Sequence, residues 1–175
     1  MVGRGSRIDR GRLTVLPGGI EALRQAFNRD AGHVRVLMLT SPTCDMCRQG
    51  ASVMQTAVLD TISDPSLRAY VAWVPILPDD KEPAAVASRA LVPNTRAAHF
   101  WDAGRALPPL FAAVLGLPEG WPAWDVYLLY DRGATWEQEP PAPVYWEHQL
   151  GDQLPTPRLD GARFAARVRA KLESA

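Results

Sequence analysis

The stretch that most narrows what this chain can fold into is Val34-Arg35-Val36-Leu37-Met38-Leu39, which runs through Thr40-Ser41-Pro42-Thr43 into Cys44-Asp45-Met46-Cys47. A short, nearly continuous run of β-branched and aliphatic residues reads as a strand covered on both faces, hence central in an α/β sheet. Beyond the cysteines, Val53, Met54, Ala57, Val58 and Ile62 place apolar groups on one helical face as far as Asp64-Pro65. The two cysteines therefore stand where a strand hands over to a helix. The first-turn N–H groups of a helix lack intrahelical partners and its dipole is positive there, so a sulfur in that place is stabilised as a thiolate.

A second cysteine one turn further on can attack a mixed disulfide formed at the first, which makes strand, Cys-x-x-Cys, helix a thiol–disulfide exchange device. In that scheme Cys44 is the exposed nucleophile and Cys47 the buried resolving thiol. The same spacing also makes half of a zinc site. No second pair exists, however, and a four-ligand site would need two of His33, His99 and His148 from distant segments.

Composition leaves the cysteines available for chemistry. A chain of 175 residues with 47% hydrophobic content buries roughly 70% of its unfolded surface, enough for one domain without metal or disulfide staples. Nineteen basic residues balance nineteen acidic ones, which argues against a nucleic-acid partner or a polybasic membrane surface. The longest apolar stretches are strand-length, well short of the ~20 residues of a membrane span. Residues 1–12 carry four Arg and three Gly with no apolar run behind them; they read as a disordered basic tail, not a secretory signal, and point to the cytoplasm. There, a closely spaced cysteine pair is redox-active or metal-binding more often than structural.

Along the rest of the chain, Leu13–Leu16 reads as a short edge strand and residues 20–27 as an amphipathic helix. Tyr70 to Leu77 reads as a second buried strand, and Lys81 to Leu91 as a helix. Ala97 to Trp101 is a short strand, and Leu107 to Leu115 a helix closed by Gly116. Val126–Tyr130, the turn Asp131-Arg132-Gly133 and Ala134–Trp136 read as a hairpin. Residues 139–158, rich in proline, read as an extended surface wrap, and Asp160 as the cap of a closing helix. Residues 13–175 thus form one domain.

This order of elements resembles the thioredoxin-like superfamily over most of residues 20–175. Phe100-Trp101-Asp102, the helix 107–115 and Gly116-Leu117 look like the inserted strand-helix arm of its peroxiredoxin, TlpA-type and Sco-type branches, here at about 92–120. The resemblance implies an α/β fold: a mixed sheet of four to five strands with helices on both faces. It implies a thiol–disulfide oxidoreductase acting through Cys44 and Cys47 on a protein or small-molecule disulfide or thiol, with no cofactor, no nucleic acid and no membrane.

The substrate-facing slots of the family fall on Pro42 and Thr43 before the pair, and on Trp124 and Asp125 before the strand at 126. Family members usually carry a cis-proline in that last slot and an aromatic where Thr43 stands. An Asp facing the pair repels a thiolate or, in its protonated form, passes it a proton. With Asp45 adding negative charge, a reducing poise is expected in preference to a strongly oxidising one. Peroxidase chemistry would call on Thr40 or Ser41 and an Arg that positions 124–125 lack. Two further readings stay open: a soft-metal (copper or mercury) binding or delivery protein using Cys44, Cys47 and His148, and a binding module in which the pair is a bystander.

Overall fold

The computed structural model describes residue 9 and residues 11–174, so most of the expected tail lies outside the described residues. The elements are β1 (Leu13–Val15), α1 (Glu21–Arg29), β2 (Val34–Thr40), α2 (Asp45–Val53), β3 (Leu67–Trp73), α3 (Glu82–Ser88) and β4 (Ala97–Trp101). They continue with α4 (Leu107–Leu115), β5 (Val126–Tyr130), β6 (Tyr145–His148) and α5 (Gly161–Glu173). The strands form one six-stranded sheet in the order β1-β4-β3-β2-β5-β6, where four to five were expected. Four strands run parallel; β5 is antiparallel to β2, and β6 to β5.

All seven residues of β2 are buried, as its apolar run requires. Its alternation feeds two cores. Val34, Val36 and Met38 pack with Ala51 and Met54 and with Phe164 and Val168 of α5, while Leu37 and Leu39 pack with Leu23 and Phe27 of α1 and Phe111 of α4. Each such aliphatic or aromatic side chain contributes about 1.5–3 kcal/mol on burial. Arg35 interrupts the second face as a buried cation. It lies 4.2 Å over the Phe27 ring and donates to the carbonyls of Phe27, Asp131 and Ala134 at 2.8–2.9 Å, tying the loop after β5 to α1.

α2 continues as a π-helical stretch, Met54–Leu59. α5 crosses close to it because position 161 has no side chain: a Cβ on Gly161 would lie 2.7 Å from both Ala57 Cβ and Val53 Cγ1. The Asp160 carboxylate caps α5 by accepting from the Arg163 N–H at 2.8 Å, and α4 ends at Gly116 with φ +62°, both as the sequence suggests. No helix of the described residues is long and apolar enough to cross a membrane.

Two expectations need correction. The second buried strand spans Leu67–Trp73 instead of Tyr70–Leu77; the apolar residues continue into a loop whose N–H groups at Ile76 and Leu77 are taken by Asp80 at 2.9 and 2.7 Å. The hairpin partner of β5 is not 134–136 but β6, inside the supposed surface wrap. The turn residues at 131–133 are real, yet Trp136 leaves the sheet to bury its ring edge-on against Phe27 and Phe111. Asn28 holds it there with paired bonds of 2.7 and 2.8 Å to its backbone.

Candidate functional site

Cys44 is the N-cap of α2, with extended backbone (φ −73°, ψ 122°), and its Sγ accepts from the Cys47 N–H at 3.5 Å. The sulfur thus occupies the place a capping oxygen normally takes. Both cysteines are free thiols; Cys44 is half-buried and Cys47 fully buried. Burial, followed by the negative charge of Asp125, pushes the Cys47 thiol far above its ordinary range.

The loop ahead of the pair is held from behind. Ser41 Oγ accepts the Cys44 N–H at 3.1 Å and donates to Asp80 Oδ1 at 2.8 Å. That same oxygen accepts from the Thr43 N–H and hydroxyl at 3.1 and 2.6 Å. The Pro42 carbonyl accepts from Arg48 Nη1 and from the Ser88 hydroxyl at 3.1 and 2.9 Å. A buried carboxylate with this many donors fixes the backbone that presents Cys44, because removing it strands several polar groups at once.

Opposite the pair stands Asp125, buried, with φ +53°, a left-handed conformation that Asp tolerates better than most residues. Its Oδ1 accepts from the Tyr127 hydroxyl at 2.6 Å and from Gln149 Nε2 at 2.9 Å, and its carbonyl accepts from the Gln149 N–H at 3.0 Å. Gln149 Nε2 also reaches the Met46 carbonyl at 3.0 Å. The cluster can press this close to α2 because position 50 is glycine. A Cβ there would lie 1.8 Å from the Tyr127 hydroxyl and 2.5 Å from Gln149 Nε2. Burial and the neighbouring Asp125 push the Tyr127 phenol well up, so it stays a donor. No peptide bond among the described residues is cis.

Cys44, Met46, Trp121, Trp124 and Asp125 line a groove of about 340 Å³. Of the four positions named as substrate-facing, Trp124 and Asp125 share this groove with Cys44, whereas Pro42 and Thr43 are not among its lining residues. His148 is not brought to the sulfurs as the soft-metal reading requires. Its Nδ1 accepts from the Leu150 N–H at 3.0 Å and its Nε2 donates to the Thr156 carbonyl at 2.8 Å, and among the described residues no three His, Cys, Asp or Glu side chains gather to hold a metal. His99 is a satisfied interior imidazole, stacked on Trp73 and bonded to the Val92 carbonyl at 3.0 Å; burial lowers its pKa to about 4. Asp102 caps the turn into α4, accepting from the Ala106 and Leu107 N–H groups.

Sequence reasoning missed Asp80, Tyr127, Gln149 and Gly50. Gly50, one turn beyond Cys47 in an otherwise regular helix, was the available signal, since an interior helical glycine marks a close approach.

No family model matches the chain, and no curated protein does. Among solved structures, MTB DsbF in its mixed oxidised and reduced forms superimposes with a TM-score of 0.51 at 16% identity, over 82% of this chain and 84% of that one. A secreted Mycobacterium tuberculosis disulfide oxidoreductase homologous to E. coli DsbE matches with a TM-score of 0.47 at 15% identity, over 81% and 84% of the two chains. A thiol:disulfide interchange protein of the thioredoxin family from Chlorobium tepidum TLS matches with a TM-score of 0.49 at 15% identity, over 82% and 83%. At such identities the likeness is one of fold.

Proposed function

We propose that this chain, which has a thioredoxin-like fold, is a thiol–disulfide oxidoreductase that reduces disulfides through Cys44 and Cys47. The observation that carries the reading is the asymmetry of the pair. Cys44 caps α2 on the wall of an apolar groove, while Cys47 lies fully buried behind it beside a clamped carboxylate. A solved structure that shares the fold, MTB DsbF, is described in mixed oxidised and reduced forms, which agrees with the reading.

The Cys44 thiolate attacks one sulfur of a substrate disulfide, and the other leaves as a thiolate. The mixed disulfide is resolved when Cys47 attacks Cys44 Sγ and expels the second substrate sulfur. Two electrons pass from the pair to the substrate, which gains two protons, and the pair ends as a disulfide awaiting an external dithiol. Because Cys47 holds its proton tightly, resolution needs an acceptor. Asp125, whose charge bears on the Cys47 thiol and whose clamping bonds from Tyr127 and Gln149 both fall on Oδ1, supplies it with one water relaying the proton. Trp124 and Asp125 face the substrate; Pro42 and Thr43 hold the approach loop. The chemistry asks for no cofactor.

The test is a pair of variants assayed on a disulfide-bonded protein. Cys44→Ser abolishes reduction, and Cys47→Ser accumulates a covalent mixed disulfide visible by mass spectrometry. Wild-type activity in both variants refutes the reading.

A further inference from the structure

Trp121 and Pro122 form one wall of the groove beside Cys44. These two residues also wall a second cavity of about 520 Å³, formed with Pro109, Ala112 and Ala113 of α4 and with Leu117. The two depressions lie in series along the segment that leads into β5, and both are lined mainly by apolar side chains. Either volume alone suits a small ligand, but a small disulfide reacting at Cys44 reaches only the first.

Backbone pairing is partly used up on this side. The Asp125 carbonyl is bonded to the Gln149 N–H at 3.0 Å, and the Ala123 N–H to the Pro108 carbonyl at 3.0 Å. Recognition of an extended chain here therefore falls to side-chain burial. The second cavity carries one basic and one acidic residue, Arg105 and Glu119, a balance that favours neither an anionic nor a cationic ligand. Its walls include Pro108, Pro109, Pro118 and Pro122, whose fixed φ angles preform the surface and limit the entropy lost on binding.

Resting on the oxidoreductase reading, we infer that the substrate is a polypeptide whose reactive cysteine is flanked by a run of apolar residues, which seat in the groove at Cys44 and, across the shared wall of Trp121 and Pro122, in the cavity against α4. Each apolar side chain seated there raises affinity by about ten- to a hundredfold.

The test compares three substrates of the reduced protein: glutathione disulfide, and two peptides of equal length whose central cysteine is joined to glutathione, one with leucine and phenylalanine on both flanks and one with serine and asparagine. The expected result is a kcat/KM for the apolar peptide at least tenfold above the other two. Ala113→Glu, placed on the exposed far cavity, then brings the ratio between the two peptides close to one. The ratio is insensitive to a loss of folded protein, which lowers both rates alike. Rates within twofold for all three substrates, or a ratio that Ala113→Glu leaves intact, overturn the inference. So does a dimer that the substitution converts to monomer in sedimentation, because the groove is then the seat of a second copy. No turnover of any of the three overturns the oxidoreductase reading itself, and the inference with it.

Discussion

Replacing Asp125 by Asn removes one charge and one proton acceptor while keeping an Oδ1 that can still receive both the Tyr127 and Gln149 bonds. Two consequences oppose each other. A like charge beside an ionising group is worth about 1–3 pKa units, and here it ranks behind burial as a cause of the raised Cys47 thiol. Its loss therefore returns about one unit, or about tenfold in thiolate population. Loss of a positioned general base costs about 10²–10⁴ in rate. The second effect wins, and resolution of the mixed disulfide at pH 7 slows by about 10- to 1000-fold. The assay is single turnover: a mixed disulfide preformed on Cys44, acid quench, and the decay of the adduct followed by mass. In the variant the rate rises about tenfold per pH unit, as expected when hydroxide alone supplies the thiolate, whereas in the wild type it rises less steeply. A variant as fast as the wild type at pH 7, or one with the same pH slope, refutes the assignment of Asp125.

Gly50→Ala gains about 1 kcal/mol of helix propensity but drives a methyl into the Tyr127 hydroxyl and Gln149; with overpacking of about 1–3 kcal/mol, urea midpoints should report a net loss, and a stabilised variant contradicts the close approach. The raised thiol also makes stability depend on pH. The folded, reduced protein keeps the Cys47 proton above the ordinary value of 9.0, while the unfolded chain releases it. Stability that is fully present below pH 9 is therefore lost above it at up to about 1.4 kcal/mol per pH unit. Tyr127, Tyr130 and Tyr145, raised from 10.0, add to the loss as pH approaches and passes 10, so the share of Cys47 is read as the difference between wild type and Cys47→Ala in chemical denaturation between pH 8 and 10. Cys47→Ala should lower the slope in that window, and a slope equal to that of the wild type rules the mechanism out.

The central strand, the helix behind it and the position of both cysteines were legible because each rests on local spacing: an unbroken apolar run, then a 3.6-residue repeat. The slot at Asp125 was reachable by counting back from the turn at Asp131. Its clamp was not. Tyr127 reads as one more apolar residue of a strand, and Gln149 as part of a proline-rich loop, until the pairing of β5 with β6 puts them side by side. Asp80 reads as an ordinary turn residue, and only the fold reveals that Ser41 and Thr43 converge on it. The misplaced hairpin has a similar origin, since turn chemistry is local but the burial of Trp136 against Phe111 is not. His148 looked available among its aromatic neighbours, and the loop that follows β6 consumes both ring nitrogens, through the Leu150 N–H and the Thr156 carbonyl.

Because β5 runs antiparallel to β2, with Val126 opposite Leu39, the residue entering one strand adjoins the residue leaving the other. The spacing between sulfur and carboxylate is thus gauged by a ladder of paired residues together with the side-chain bonds that pin the two loops, those of Asp80 on one side and of Gln149 on the other. Loop motion during substrate entry then leaves the acid–thiol spacing nearly untouched, and substitutions that loosen the β2–β5 register should disable the chemistry before they unfold the chain.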